Sequence, residues 1–198
     1  IADGTFETGE ESEEIAALKE KVKTDDVGRA LIEEAEARGV RYVVDEEKVQ
    51  ALEDGYEAST KANAERLGYV GYEDYDVQID SYYDEVENTV YMRDGDDVSG
   101  MVSGTINAVT PGENIMMESS QYEESVARVV GNEVESRVTG EAYTAEEREA
   151  DLSHFDDDIM LRQYTDSQTD GRAMDDVEKK LTELTGEAPS VTTAEYLD

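Results

Sequence analysis

The sequence predicts an α+β fold, in which a small antiparallel or mixed sheet packs against three or four helices and helical arms lie at the termini. Three observations support this class. Apolar residues recur at helical spacing in several segments, short β-branched runs lie between those segments, and glycine or proline follows most of them. The expected organisation of the 198 residues is an N-terminal leader and helical arm (1–24), a core domain (25–162), and a linker with a C-terminal helix and tail (163–198).

The first half of the chain is predicted to follow the order α-α-β-α, from apolar spacing and capping residues. The predicted elements are a helix over 10–23, a helix over 25–38 capped by Thr24, a strand over 40–44, and a helix that begins after Asp45 and continues through a kink at Gly55 to residue 67. Gly39 and Gly68 predict two of the helix ends, because glycine readily adopts the left-handed conformation found there.

The second half is predicted to contain a β-hairpin followed by helices. The predicted elements are strands over 77–79 and 89–92 joined by a turn near Glu87, a helix that contains Gly100 and Gly104, a helix over 118–139, a short helix opened by a capping box at Thr144, an edge strand over 159–161, and a last helix over 175–184. The four-residue spacing of Gly100 and Gly104 predicts close packing of that helix against another helix or the sheet.

The net charge of the chain is its most informative property. Asp and Glu number 52 against 17 Lys and Arg, which gives a net charge of -35. This repulsion destabilises a compact state in dilute buffer, whereas at about 1 M salt the Debye length falls to roughly 3 Å. The acids are interleaved with periodic Val, Leu, Ile and Tyr, and do not form the blocks typical of a disordered tail. The pattern predicts a folded protein adapted to near-saturating salt, as in a haloarchaeal cytoplasm or a brine.

The charge and the residue types exclude several classes of function. No basic patch is available to bind nucleic-acid phosphates or an anionic membrane surface. No apolar run approaches the roughly 20 residues that span a bilayer. Because the chain has no Cys, thiolate metal sites, disulfides and cysteine nucleophiles are excluded. The first residue is Ile1, which predicts a trimmed or omitted N-terminus.

Metal-dependent hydrolysis is the first catalytic chemistry to consider, and its histidine motif is missing. A helical zinc site needs two imidazoles one turn apart, usually in His-Glu-x-x-His. The chain has one histidine, His154, and residues 105–109 read Thr-Ile-Asn-Ala-Val where the motif would fall. Carboxylates remain as candidate ligands for Mg²⁺, Ca²⁺ or K⁺, either at Asp156 and Asp158 or within the acidic stretch 94–97. A hydrated acidic surface is the simpler explanation of both stretches, because such runs are expected by chance in a chain with 52 acidic residues, and no other cofactor is predicted.

Tyrosine is concentrated in one region of the chain. Five tyrosines there are candidate interface residues: Tyr69, Tyr72, Tyr75, Tyr82 and Tyr83. Tyrosine is enriched at the buried centre of protein interfaces, and aromatic packing remains effective when salt screens ion pairs. A core or sheet face built from tyrosine explains the same cluster, so both interpretations stay open.

Three stretches of sequence carry a resemblance to a known family. The segments ALIEEAEARGVRYVV and YYDEVENTVYM precede a Glu-x-x-Ala-Arg helix (Glu124, Ala127 and Arg128), which leads to Thr-Ala-Glu-Glu-Arg at 144–148. In this order they resemble the degenerate zincin-type peptidase domains of large polyvalent phage proteins, which often accompany Mu-type minor head proteins. The resemblance implies a zincin-like fold and an association with virus heads. The family's histidine motif is missing, so peptidase activity is not implied.

These observations together predict a non-catalytic structural component of a haloarchaeal tailed virus particle, either head-associated or a minor capsid protein. The expected partners are other virion or assembly proteins in an oligomeric arrangement, without nucleic acid or membrane. The expected location is the virion or the cytoplasm of a haloarchaeal host. Two alternatives stay open: a halophilic hydrolase that uses carboxylates and a divalent cation, and a host accessory protein that binds one cytoplasmic partner.

Overall fold

The chain folds into helices packed on both faces of a small mixed sheet, as the α+β prediction expects. The computed structural model describes residues 11–68, 78–110, 117–153 and 179–187, with side chains for all of these except 117–126 and 152–153. The elements are α1 (Glu13–Val22), α2 (Asp26–Ala37), β1 (Arg41–Val44), α3 (Glu46–Leu67), β2 (Ser81–Asp84), β3 (Thr89–Met92), α4 (Val98–Val109), α5 (Met117–Thr139) and α6 (Ala145–Ser153). Residues 179–185 are also helical. The α+β class is therefore confirmed.

The sheet has β3 in its centre. Among the described residues its order is β1-β3-β2, with β1 parallel and β2 antiparallel to β3. Tyr42, Val90 and Tyr83 are paired across the three strands and face the main core on the α4 side. The opposite face carries Tyr91 and its neighbour Tyr82, which pack beneath α3. The sheet is thus a middle layer between α3 and the remaining helices.

Helix α4 is the centre of the main core, because it is composed of small and apolar residues that are buried along most of its length. A Cβ added at Gly104 would lie 2.5 Å from Val90 Cγ1, so this helix lies unusually close to the sheet. The predicted close packing is confirmed at Gly104. At Gly100 the three atoms nearest to an added Cβ all belong to Asp97, the residue that caps the same helix.

The first helix contributes directly to the main core. The sequence interpretation assigns residues 1–24 to an arm, and the described part of that segment buries Ile15, Leu18 and Val22 against α2, α4 and α5. Leu181, from the helical residues 179–185, is buried in the same cluster. Apolar residues at helical spacing on α1 therefore complete the domain core, where their burial removes them from water.

Two local predictions, an N-cap and a strand, differ from the structure, whereas the predicted extent of the helix after Asp45 is confirmed. The N-cap of α2 is Asp25, not Thr24, because Asp25 Oδ2 accepts hydrogen bonds from Val27 N and Gly28 N at 3.1 Å. Helix α3 continues through Gly55 as one helix over Glu46–Leu67. The predicted strand over 77–79 is wrong at its described residues, 78 and 79, and the strand that pairs antiparallel with β3 begins at Ser81. The predicted strand over 159–161 lies outside the described residues.

The strand prediction fails at Ile79 because side chains occupy its backbone groups. Ile79 N donates to Glu53 Oε2 at 2.8 Å, and Ile79 O accepts from Arg93 Nε at 2.8 Å. Arg93 also pairs with Glu53 through Nη2 at 2.7 Å. The buried Ile79 side chain therefore joins the cluster under α3 while its peptide groups stay outside the sheet.

Candidate functional site

Four carboxylates gather around the N-terminus of α4: Asp80, Asp94, Asp97 and Glu135, here called the carboxylate cluster. Asp97 Oδ1 accepts a hydrogen bond from Gly100 N at 2.8 Å, and Glu135 Oε2 accepts one from Ser99 N at 3.0 Å. Backbone N–H groups in the first turn of a helix have no partner within the helix, and they form its positive end. Carboxylates from a loop and from α5 thus both cap α4.

The surroundings of the Asp97 carboxyl raise its pKa. The pKa of Asp97 is raised to about 6; burial is the largest cause, the hydrogen bond from Gly100 N opposes it, and the negative charges of Asp80, Glu135 and Asp94 contribute to the rise. The guanidinium of Arg128 lies beside the cluster, with Nη2 3.8 Å from Asp80 Oδ2. A carboxyl that titrates near neutral pH among other carboxylates is the kind of group that hydrolases use as a general acid or base.

The raised pKa of Asp97 gives a stability prediction with a definite sign. Because the folded-state pKa lies above the ordinary value of 3.8, the folded state binds this proton more tightly than the unfolded state. Ionisation of Asp97 therefore lowers the free energy of unfolding as pH rises through 3.8 to about 6, and the full cost is present above that range. We expect Asp97→Asn to raise the free energy of unfolding by about 1–2 kcal/mol at neutral pH, because asparagine retains the cap without the charge.

Urea unfolding in molar KCl, at neutral pH and near pH 4, measures this effect, and the gain should shrink at the lower pH. Asp96→Asn is the matched control, because it removes an exposed carboxylate next to the cluster and should change the free energy of unfolding by less than about 0.5 kcal/mol. An Asp97→Asn protein that is less stable than wild type at neutral pH would show that the Asp97 carboxylate stabilises the fold.

A second acidic feature is a cavity of about 360 Å³ between the C-terminal half of α5 and α6. Asp151 Oδ2 accepts hydrogen bonds from the Tyr143 hydroxyl at 2.6 Å and from Asn132 Nδ2 at 2.8 Å. Burial, followed by the hydrogen bond to Asp151, raises the pKa of Tyr143 well above its usual range. Glu147 completes the predicted capping box at Thr144, since each residue accepts a hydrogen bond from the backbone N–H of the other. These contacts fix α6 on α5.

The residues predicted to bind a cation fall in two places. Asp156 and Asp158 lie outside the described residues, as does His154, the single histidine of the chain, which is not predicted to bind a cation. In the acidic stretch 94–97, Asp94 Oδ1 accepts from Asp96 N at 3.2 Å, while Asp97 caps α4. Within the described ranges, no three histidine or carboxylate side chains are placed to hold a metal ion.

Of the five tyrosines predicted as interface residues, Tyr82 and Tyr83 lie on β2, and Tyr69, Tyr72 and Tyr75 lie outside the described residues. Tyr82 is half-buried beneath α3, where it packs beside Tyr91. Tyr83 packs against the main core, and its hydroxyl donates to Asn88 Oδ1 at 2.7 Å. Both described tyrosines therefore contribute to internal packing on opposite faces of the sheet.

Residues 105–109, where a zincin motif would fall, belong to the buried helix α4. Thr105 Oγ1 donates to Met101 O at 2.6 Å and lies 2.6 Å from the hydroxyl of Tyr42 on β1. Ile106 and Val109 are fully buried in the main core. The polar group at Thr105 is thus used to join α4 to the sheet.

The outer side of β1 is an exposed apolar edge, here called the β1 edge and defined by Arg41–Val44. Val43 and Val44 are 39% and 37% exposed, although they lie in a β-strand of the core domain. No strand in the described part of the chain pairs with this edge. The run VRYVV predicts a strand, but its composition does not indicate whether that strand is central or at an edge. Sequence reasoning therefore missed Val43 and Val44 as surface residues.

In comparisons with known proteins, no family model, no curated protein and no solved structure matches the chain. None of the described helices has the length and apolar character that crossing a membrane requires. The likeness to zincin-type domains stays a prediction from sequence.

Proposed function

We propose that this protein is a structural component of a haloarchaeal tailed virus particle and acts through protein–protein contacts in high salt. The observation that carries the contact function is the β1 edge, where Val43 and Val44 expose apolar surface beside backbone that pairs with no strand in the described part of the chain. Open strand edges are ready templates for pairing with another chain. The virus setting is supported by the resemblance of residues 30–161 to domains that accompany minor head proteins.

The negative charge of the chain favours contacts that are made through strand pairing and apolar side chains. With 52 acidic and 17 basic residues, neighbouring proteins of similar composition repel each other unless salt screens their charges. The same screening weakens attraction between exposed ion pairs, whereas backbone hydrogen bonds and apolar burial persist. A contact in molar salt is therefore built best from strand pairing and apolar side chains.

The proposed location in a virus particle is tested by measuring whether intact particles contain this chain. Particles are purified on a density gradient in molar salt, and the chain is quantified by mass spectrometry against the major capsid protein. We expect a constant ratio in every fraction that contains intact particles, because a structural component is present in fixed copy number. An abundant acidic host protein serves as the control for adsorption. Particles that lack the chain, while the lysate contains it, would overturn the proposal.

A second candidate function, a hydrolase that uses carboxylates and a divalent cation, is favoured by the carboxylate cluster. The pKa of Asp97 near 6 suits a general acid or base. This candidate requires hydrolytic activity that depends on added Mg²⁺ or Mn²⁺ and is lost in Asp97→Asn, while Asp96→Asn retains it. An Asp97→Asn protein with full activity, or a wild-type protein with none, excludes Asp97 as the catalytic group.

A further inference from the structure

The backbone of β1 is arranged to accept another strand. Arg41 N donates to Asn88 O at 3.0 Å, and Asp45 N donates to Met92 O at 2.8 Å, so both point towards β3. Because peptide groups of successive residues in a strand point to opposite sides, those of Tyr42 and Val44 point away from β3. Two N–H and two C=O groups therefore line the β1 edge, and no described strand pairs with them.

We propose that the β1 edge binds the β1 edge of a second copy of this chain, in an antiparallel pair with Val43 opposite Val43 of the second copy. In this register Tyr42 lies opposite Val44 of the second copy, and each such pair exchanges two backbone hydrogen bonds. The two copies are then related by a two-fold axis through Val43, which is the symmetry of most protein dimers. Each three-stranded sheet continues into the other.

The sequence of β1 is complementary to itself in this register. Arg41 lies opposite Asp45 of the second copy, so opposite charges meet twice across the two-fold axis on the α3 face. Asp45 Oδ1 already accepts from Lys48 N at 3.0 Å as the N-cap of α3, and Oδ2 would receive the guanidinium. Val43 meets Val43 of the second copy, and Val44 lies beside the buried Tyr42 of the second copy, so the pairing covers part of the apolar surface that the single copy exposes.

Other registers fit less well. A shift of two residues in either direction places Val43 opposite Arg41 or Asp45 of the second copy, which buries an apolar side chain against a charge. A shift of one residue places the outward-pointing peptide groups opposite inward-pointing ones, so the hydrogen bonds are lost. A strand from an unrelated protein would have no reason to match the Arg41 and Asp45 charges, and for this reason we infer a second copy.

The proposed dimer depends on the proposed function only for its biological setting, the virus particle. In that setting, strand pairing gives the protein a defined partner, which is a second copy of itself. Two copies that each carry a net charge of -35 repel at low ionic strength, so pairing requires molar salt. Four backbone hydrogen bonds and a short strand form a small interface, which favours reversible association over an obligate dimer.

Cysteine crosslinking tests both the pairing and its register, because the chain contains no cysteine of its own. Residues opposite each other in a non-hydrogen-bonded antiparallel pair have Cα atoms about 4.5 Å apart, within the range that a disulfide bridges. We expect Val43→Cys to form a disulfide-linked dimer in most molecules when oxidised with diamide in molar KCl. Val86→Cys is the matched control, because Val86 is 96% exposed at the hairpin turn, far from the two-fold axis, and this variant should not form the disulfide-linked dimer.

A second variant tests the hydrogen bonds without a thiol. Val44→Pro removes an N–H that points away from β3, so the sheet of the single copy is retained, as is usual for proline on an edge strand. The variant loses two of the four intermolecular hydrogen bonds, and we expect its dimer dissociation constant, measured by sedimentation equilibrium in molar KCl, to increase at least about tenfold.

Three results would overturn the dimer: equal crosslinking of both cysteine variants, no crosslinking of Val43→Cys, or a wild-type chain that stays monomeric at high concentration in molar salt. The last two would also be found if another part of the chain or a different protein occupied the β1 edge. The test on purified particles is independent of these results. A monomeric chain that is found in particles refutes only the proposed dimer, and a dimeric chain that is absent from particles refutes only the proposed role as a virion component.

Discussion

Lowering the KCl concentration from molar to sub-molar values is expected to reduce the melting temperature of this protein by at least about 10 °C. The cause is the imbalance between 52 acidic and 17 basic residues. Ion pairs such as Arg93 with Glu53 and Arg137 with Asp25 neutralise a minority of the carboxylates. Most of the other carboxylates on the described residues are exposed, and salt reduces their mutual repulsion.

The size of the effect follows from Coulomb's law. Two carboxylates about 10 Å apart repel by roughly 0.4 kcal/mol in water, and the repulsion falls to roughly a third at 0.1 M salt and to almost nothing at 1 M. Dozens of such pairs amount to several kcal/mol, which is a large part of the 5–15 kcal/mol that stabilises a typical domain. For a chain of about this length, each kcal/mol changes the melting temperature by about 2–4 °C.

Thermal unfolding monitored by circular dichroism, across a series of KCl concentrations, measures this effect. A triple variant, Glu65→Gln, Glu85→Gln and Glu149→Gln, removes three exposed carboxylates and should unfold at a higher temperature than wild type at low salt but not at high salt. Choline chloride at equal ionic strength separates general screening from specific K⁺ binding. A melting temperature that does not change with salt would contradict the halophilic interpretation.

Secondary-structure elements could be predicted from the sequence wherever residues close together in the chain determine them. The apolar spacing of α1, the capping box at Thr144, and the β-branched run of β3 each depend on residues close in the chain, and the structure contains all three. The failure at Ile79 has a non-local cause, because Glu53 and Arg93, which are far away in sequence, bind its backbone groups. An apolar run alone does not reveal that competition.

The candidate sites also combine features that depend on nearby residues with features that depend on residues far apart in the sequence. The acidic stretch 94–97 is visible in the sequence, but the shift of Asp97 depends on Asp80 and Glu135, which only the fold brings near it. The exposure of Val43 and Val44 depends on which side of β3 the first strand joins, and strand order is set by the crossover through α3. Surface position and carboxylate proximity are therefore consequences of tertiary packing.

Gly131→Ala is expected to lower the free energy of unfolding by about 2–4 kcal/mol, because α5 packs closely against α4 at this glycine and leaves no space for a Cβ. A Cβ on Gly131 would lie 2.7 Å from the backbone O of Ser99 and 2.8 Å from its Oγ. The backbone oxygen belongs to the first turn of α4, so it moves only if the helix moves. One turn along α5, Glu135 accepts the hydrogen bond from Ser99 N, so separation of the helices would also weaken this cap.

Gly55→Ala is the matched control for Gly131→Ala, because Gly55 lies inside helix α3 and a Cβ there would meet nothing within 4 Å. Alanine has the higher helix propensity, so Gly55→Ala should raise the free energy of unfolding by about 0.5–1 kcal/mol. Urea unfolding of both variants in molar KCl measures the two effects with opposite signs. If Gly131→Ala also proved stabilising, α4 and α5 could not lie as close as the Gly131–Ser99 distance requires, and the caps on α4 that form the carboxylate cluster would need a different arrangement.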